Sequence, residues 1–108
     1  MKNTIKVVVK EPGHRPEPRE IPNTLEELRG FVGGHIEIYD LAADLAIICN
    51  EDGKNLGLPL NCHIAGETFV GPIMLVGIDR FGEDFCDVPY SYDILCVALG
   101  EQFQGGAL

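Results

Sequence analysis

Gly33-Gly-His-Ile-Glu-Ile-Tyr-Asp-Leu41, followed after a short break by Leu45-Ala-Ile-Ile-Cys-Asn50, is the stretch that decides the fold of this chain. The first run alternates. Ile36 and Ile38 share one face with Asp40, while Glu37 and Tyr39 share the other with Leu41, the pattern of a strand with one wet face. The second run is apolar throughout and reads as a strand covered on both sides. Ala42-Ala-Asp44 joins the two as a hairpin. Glu51-Asp-Gly-Lys54 forms the next turn, with Gly53 free to take positive φ.

Working back toward the N-terminus, Pro22-Asn-Thr24 opens a helix. Thr24 with Glu27 fits a capping box, and Asn23 with Glu26 fits equally well. Leu25, Leu28 and Val32 fall on one helical face with Phe31 at its margin, and Gly33 supplies the left-handed C-terminal position. Such a short helix depends on docking to a sheet. Thr4–Lys10, with three consecutive valines, reads as a strand inside the sheet. Arg15-Pro-Glu-Pro-Arg19 restricts any strand reaching Ile21 to an edge, as a loose hairpin returning along the first strand.

Toward the C-terminus, residues 55–67 are rich in breakers and have no clear period, so a loop is expected there. Strand resumes at Thr68–Asp79, interrupted by Gly71-Pro72, and Ile73–Ile78 is apolar enough to be central. Asp79–Phe85 reads as a loop. A second helix follows from Pro89, with Leu95, Leu99 and Phe103 repeating at four and Ile94 and Ala98 beside them. These elements predict an α+β fold: a mainly antiparallel sheet of four to six strands, with two helices packed on one face. The other face would keep an apolar remainder that favours a homodimer. The 108 residues make one domain, expected over 1–104, with 105–108 frayed.

The same central stretch carries a resemblance. Val32-Gly-Gly-His-Ile-Glu37, Cys49-Asn-Glu-Asp-Gly-Lys54, Gly57-Leu-Pro-Leu-Asn61, Val76-Gly-Ile-Asp79 and Gly82-Glu-Asp-Phe85 together resemble a family of small bacterial and phage proteins known as domain of unknown function 3846. Members often carry a second proline where this chain has Leu60, and a basic residue where it has Cys62. The resemblance implies no activity and no cofactor. It implies a setting among short cytoplasmic proteins common in phages and mobile elements.

No apolar run approaches the roughly 20 residues that span a bilayer. The first residues are broken by Lys6 and Lys10 and do not read as a signal peptide, so the expected location is cytoplasmic, with no membrane partner. Reduced thiols are therefore expected at Cys49, Cys62, Cys86 and Cys96, and no pair has zinc-knuckle spacing. Charge is uneven. Residues 1–30 carry a net +1 and residues 31–108 a net −10, giving −9 for the chain. An acidic surface of this kind repels nucleic acid. A solvated acidic face is the simpler reading of it, ahead of a dedicated site for basic partners.

Four places invite chemistry. Cys62-His63 has the residue types for zinc or a nucleophilic thiol, but adjacent strand side chains point to opposite faces. The carboxylates of Asp79, Glu83, Asp84 and Asp87 lack the alternate spacing of an EF-hand. Gly53-Lys54 with Gly57 lacks the glycine run and following helix of a phosphate loop. The loop at 55–67 is the preferred ligand or partner site, with Asn50, Asn61 and His63 as polar contributors and Leu58 and Pro59 beside them. No metal, cofactor or catalytic residue is assigned. The expected function is a non-enzymatic binding or accessory protein that recognises a host protein or small ligand. An acidic DNA mimic that inhibits a DNA-handling protein, and a small enzyme using Cys62 or His63, are the alternatives.

Overall fold

The computed structural model describes residues 3–79, 81, 84–100 and 103. In chain order the elements are β1 (Thr4–Lys10), β2 (Glu17–Pro22), α1 (Leu25–Val32), β3 (Ile36–Ala42), β4 (Leu45–Asn50), β5 (Leu60–Ile64), β6 (Glu67–Val70), β7 (Ile73–Asp79), β8 (Asp84–Cys86) and α2 (Tyr92–Leu99). The fold is α+β and the main sheet is antiparallel throughout, in the order β2-β1-β7-β4-β3, with β8 also on β7. β4 and β7 lie inside the sheet, as their unbroken apolar runs require. β2 is an edge strand paired back along β1, Ile5 facing Ile21. Its prolines permit only that position.

Alternate residues of the inner strands build two cores. Val7, Val9, Ala46, Ile48, Met74 and Val76 pack with Leu28 and Val32 of α1. Val8, Ile47, Ile73 and Leu75 pack with Cys62, Ile64 and Phe69 of the β5–β6 hairpin and with Leu95, Cys96 and Phe103 of the C-terminal segment. The two helices therefore cover opposite faces, not the one face expected. The reason is that β1, β4 and β7 are apolar at both parities, so each face demands a cover. With both faces covered, the argument for a homodimer through a bare apolar face falls away.

α1 begins where the capping box places it. Thr24 Oγ1 accepts the Glu27 N–H at 3.1 Å, whereas Asn23 donates to Phe85 O. Leu25 remains half exposed, so the docked face rests on Leu28 and Val32. Gly33 closes the helix at φ 81°. α2 starts at Tyr92, capped by Ser91. The expected tail at 105–108 lies outside the described residues.

Two expectations change in the central region. The expected loop at 55–67 ends at Leu60, where β5 begins and pairs with β6 as a separate two-stranded sheet. A register shift between Leu60 and Cys62 marks a bulge at Asn61. The bulge turns Asn61 and Cys62 both inward and hides the period of two that would have revealed a strand. In the preceding turn it is Gly57, at φ 69°, that takes the left-handed conformation. Gly53 serves a different need: a Cβ there would sit 3.0 Å from Val70 Cγ2.

Candidate functional site

The five residues expected to bind are fixed in place by the fold. Asn50 is buried; its Nδ2 donates to Val32 O at 3.1 Å and its Oδ1 accepts the Asp52 N–H at 2.8 Å, tying the end of α1 to the turn after β4. Asn61 is also buried. Its Nδ2 donates to Lys10 O and Gly71 O at 2.9 and 2.7 Å, while its Oδ1 accepts from Lys10 Nζ at 2.9 Å. His63 is exposed, with Nδ1 2.9 Å from Thr68 Oγ1. Pro59 O accepts the Gly71 N–H, and Leu58 packs against the same glycine. Cys62 and His63 are not brought together: the thiol is buried and the imidazole faces solvent. Glu83 of the acidic loop lies outside the described residues, which contain no group of three or more His, Cys, Asp or Glu able to hold a metal ion.

What the fold does assemble is a cleft of about 300 Å³ between the β3–β4 end of the main sheet, the turn after β4 and strand β6. Tyr39 and Phe69 meet within its lining edge to face, ring centroids 5.5 Å apart. Glu37, Glu51 and Glu67 contribute three carboxylates, against Lys54 as the one cation of the lining. Asn50 is the only one of the five expected residues to reach it.

The geometry follows from the strands. Glu37 and Tyr39 lie on the same face of β3 because the side-chain period is two. Glu37 is paired across the ladder with Cys49, whose thiol also lines the cleft. Burial, then the neighbouring Glu37 carboxylate, pushes that thiol up to about 11 despite the opposing Lys54. It therefore stays protonated near neutrality and is a poor nucleophile. Sequence reasoning missed Glu37, Tyr39 and Glu67. The shared face of Glu37 and Tyr39 is a readable signal, but their meeting with β6 depends on where the hidden hairpin folds back.

A family model described as Domain of unknown function (DUF3846) matches residues 5–96. The chain belongs to that family. The match takes in β2 to β8, β1 from Ile5 onward, and every described residue of the cleft of this DUF3846 protein. No curated protein and no solved structure matches the chain. No helix among the described residues of this DUF3846 protein is long and apolar enough to cross a membrane.

Proposed function

We propose that this protein is a non-enzymatic binding module whose cleft accepts a cationic group, an ammonium or guanidinium. One observation carries the reading: three carboxylates, on Glu37, Glu51 and Glu67, surround a cleft that also holds the Tyr39–Phe69 ring pair. Carboxylates give charge-assisted hydrogen bonds to such a group, and aromatic faces attract it through the ring quadrupole. The protonated state of Cys49 supports binding over thiol chemistry. An accessory role in a phage or mobile element is the setting that the family resemblance implies.

The test is a titration of the 15N-labelled protein with arginine methyl ester, followed by amide shifts. Saturable shifts are expected at Glu37, Tyr39, Glu51 and Glu67–Val70, with none from norleucine methyl amide capped at its amine. Shifts absent at the cleft, or equal for the uncharged probe, overturn the reading. The DNA-mimic alternative spreads recognition over the whole acidic half, so replacing one cleft glutamate would leave it nearly intact.

A further inference from the structure

We infer that β3 is a docking edge for an extended basic segment of a partner protein, which adds a strand along Ile36–Asp40 and sends alternate cationic side chains into the cleft. The inference rests on the cationic reading of the cleft and adds the class of partner and its backbone conformation.

The two edges of the main sheet are unlike. β2 carries Pro18 and Pro22, which lack the N–H that an added strand would need. β3 has seven residues, no proline and no lysine. Its one described ladder partner is β4, so its outer side meets no strand among the described residues. The bulge between Asp40 and Ala42 limits the regular part to Ile36–Asp40. Main-chain groups on such an edge supply affinity for an extended peptide, and the pockets beside it supply specificity.

The cleft lies on one face of this edge. Glu37 and Tyr39 are at once edge residues and cleft residues. Side chains of an added strand share the faces of their neighbours, so those beside Glu37 and Tyr39 project toward Glu51 and Glu67. The intervening residue falls on the other face beside Ile38, which is 49% exposed and would be covered by an apolar partner. The segment that fits therefore alternates cationic and apolar residues. A second copy of this chain fits less well, because it would bring Glu37 and Asp40 to an edge that already holds them, on a molecule of net charge −9.

The experiment uses the full chain and a capped Lys-Val-Lys-Val-Lys peptide. Two controls accompany it: the same peptide with its central lysine replaced by proline, and arginine methyl ester. Amide hydrogen exchange is the readout. The alternating peptide is expected to slow exchange at alternate amides of Ile36–Asp40 by roughly tenfold or more at saturation, and the proline peptide to leave it unchanged. Ile38→Lys should weaken the peptide by about tenfold while leaving arginine methyl ester binding alone. Cleft shifts without slowed exchange on β3 overturn this inference and leave the cleft reading standing. Failure of both probes sinks both. Edge protection that grows with protein concentration in the absence of peptide assigns the edge to a second copy and overturns the proposal.

Discussion

Asn61 holds Lys10 from two sides: its Oδ1 accepts the Lys10 ammonium nitrogen and its Nδ2 donates to the Lys10 carbonyl, each at 2.9 Å. Both residues are buried, and the same amide also ties Gly71 O, so one side chain joins β1 to β5 and to the bend that follows β6.

Asn61→Ala removes three buried hydrogen bonds at once. The expected loss is about 3 kcal/mol or more, because the stranded amine and carbonyls keep their desolvation cost. His63→Ala, two residues along the same strand but exposed, should cost no more than about 0.5 kcal/mol. Urea melts of the two variants check the contrast. Equal, small losses would show that the Lys10 contacts do not bind the hairpin to the sheet.

Burial lowers the proton affinity of Lys10, opposed by the nearby Cys62. The unfolded lysine therefore binds more protons than the folded one between the lowered value and 10.5. Stability contributed at this site rises with pH across that window, by at most about 1.4 kcal/mol per pH unit. Buried thiols work the other way above pH 9, because their folded values are raised. Subtracting the profile of Lys10→Met cancels most of that opposition. The difference, wild type minus variant, is expected to climb toward pH 10.5, and a flat or falling difference contradicts a desolvated amine.

Gly77 passes under the segment after β8 so closely that a Cβ would lie 2.1 Å from Asp87 O. The two nearest atoms belong to the Asp87 backbone, which has no flexible end to give. Gly77→Ala should cost about 3 kcal/mol and lower Tm by at least about 10 °C. Gly30, inside α1 with nothing within 4 Å, provides the opposite case. Gly30→Ala should stabilise by about 0.5–1 kcal/mol through helix propensity.

Native alkylation reads the cysteines. Cys62 and Cys96 are buried, and burial also raises the Cys86 thiol. At pH 8 only about one Cys49 thiol in a thousand is ionised if its value is about 11. Iodoacetamide should therefore modify the folded protein slowly at all four positions and the denatured protein rapidly. Fast, selective labelling of Cys62 at pH 7.5 would revive the alternative of a small enzyme using Cys62 or His63, and fast labelling of Cys49 would contradict its raised value.

Glu67→Gln should weaken arginine methyl ester by a few fold, with a similar effect from Glu51→Gln, and raised salt should weaken the wild type in the same direction. Salt-independent binding, measured by the same amide titration, would mean that the carboxylates are bystanders.

The legible parts of this fold were those set by short-range pattern. Ile47, Ile48 and Met74–Val76 are apolar at both parities, which places β4 and β7 inside any sheet they enter. Thr24 and Gly33 mark the ends of α1 by chemistry that operates within four residues. What stayed hidden turns on distant or irregular contacts. The bulge at Asn61 breaks the alternation of β5, so the hairpin reads as loop. Nothing local to Leu28 or Leu95 says which face of the sheet each will meet. The cleft needs both answers, since Glu37 and Glu67 stand thirty residues apart and approach only when the hairpin folds back over β3 and β4.

The strand order also sets a timetable for synthesis. Val8 pairs with Leu75, and Lys6 with Asp87 and Val88, so β1 must wait for residues far downstream. At ordinary translation speeds of about 5–20 residues per second, the wait from Val8 to Leu75 is roughly 3–13 seconds. Throughout it Val7, Val8 and Val9 have β2 as their one described ladder partner, and their core neighbours on α1 and β4 arrive before the β7 strand that closes the ladder. The newborn chain therefore passes through a period when one edge of its triple-valine strand is open, and whatever shelters that edge at the ribosome exit favours its yield.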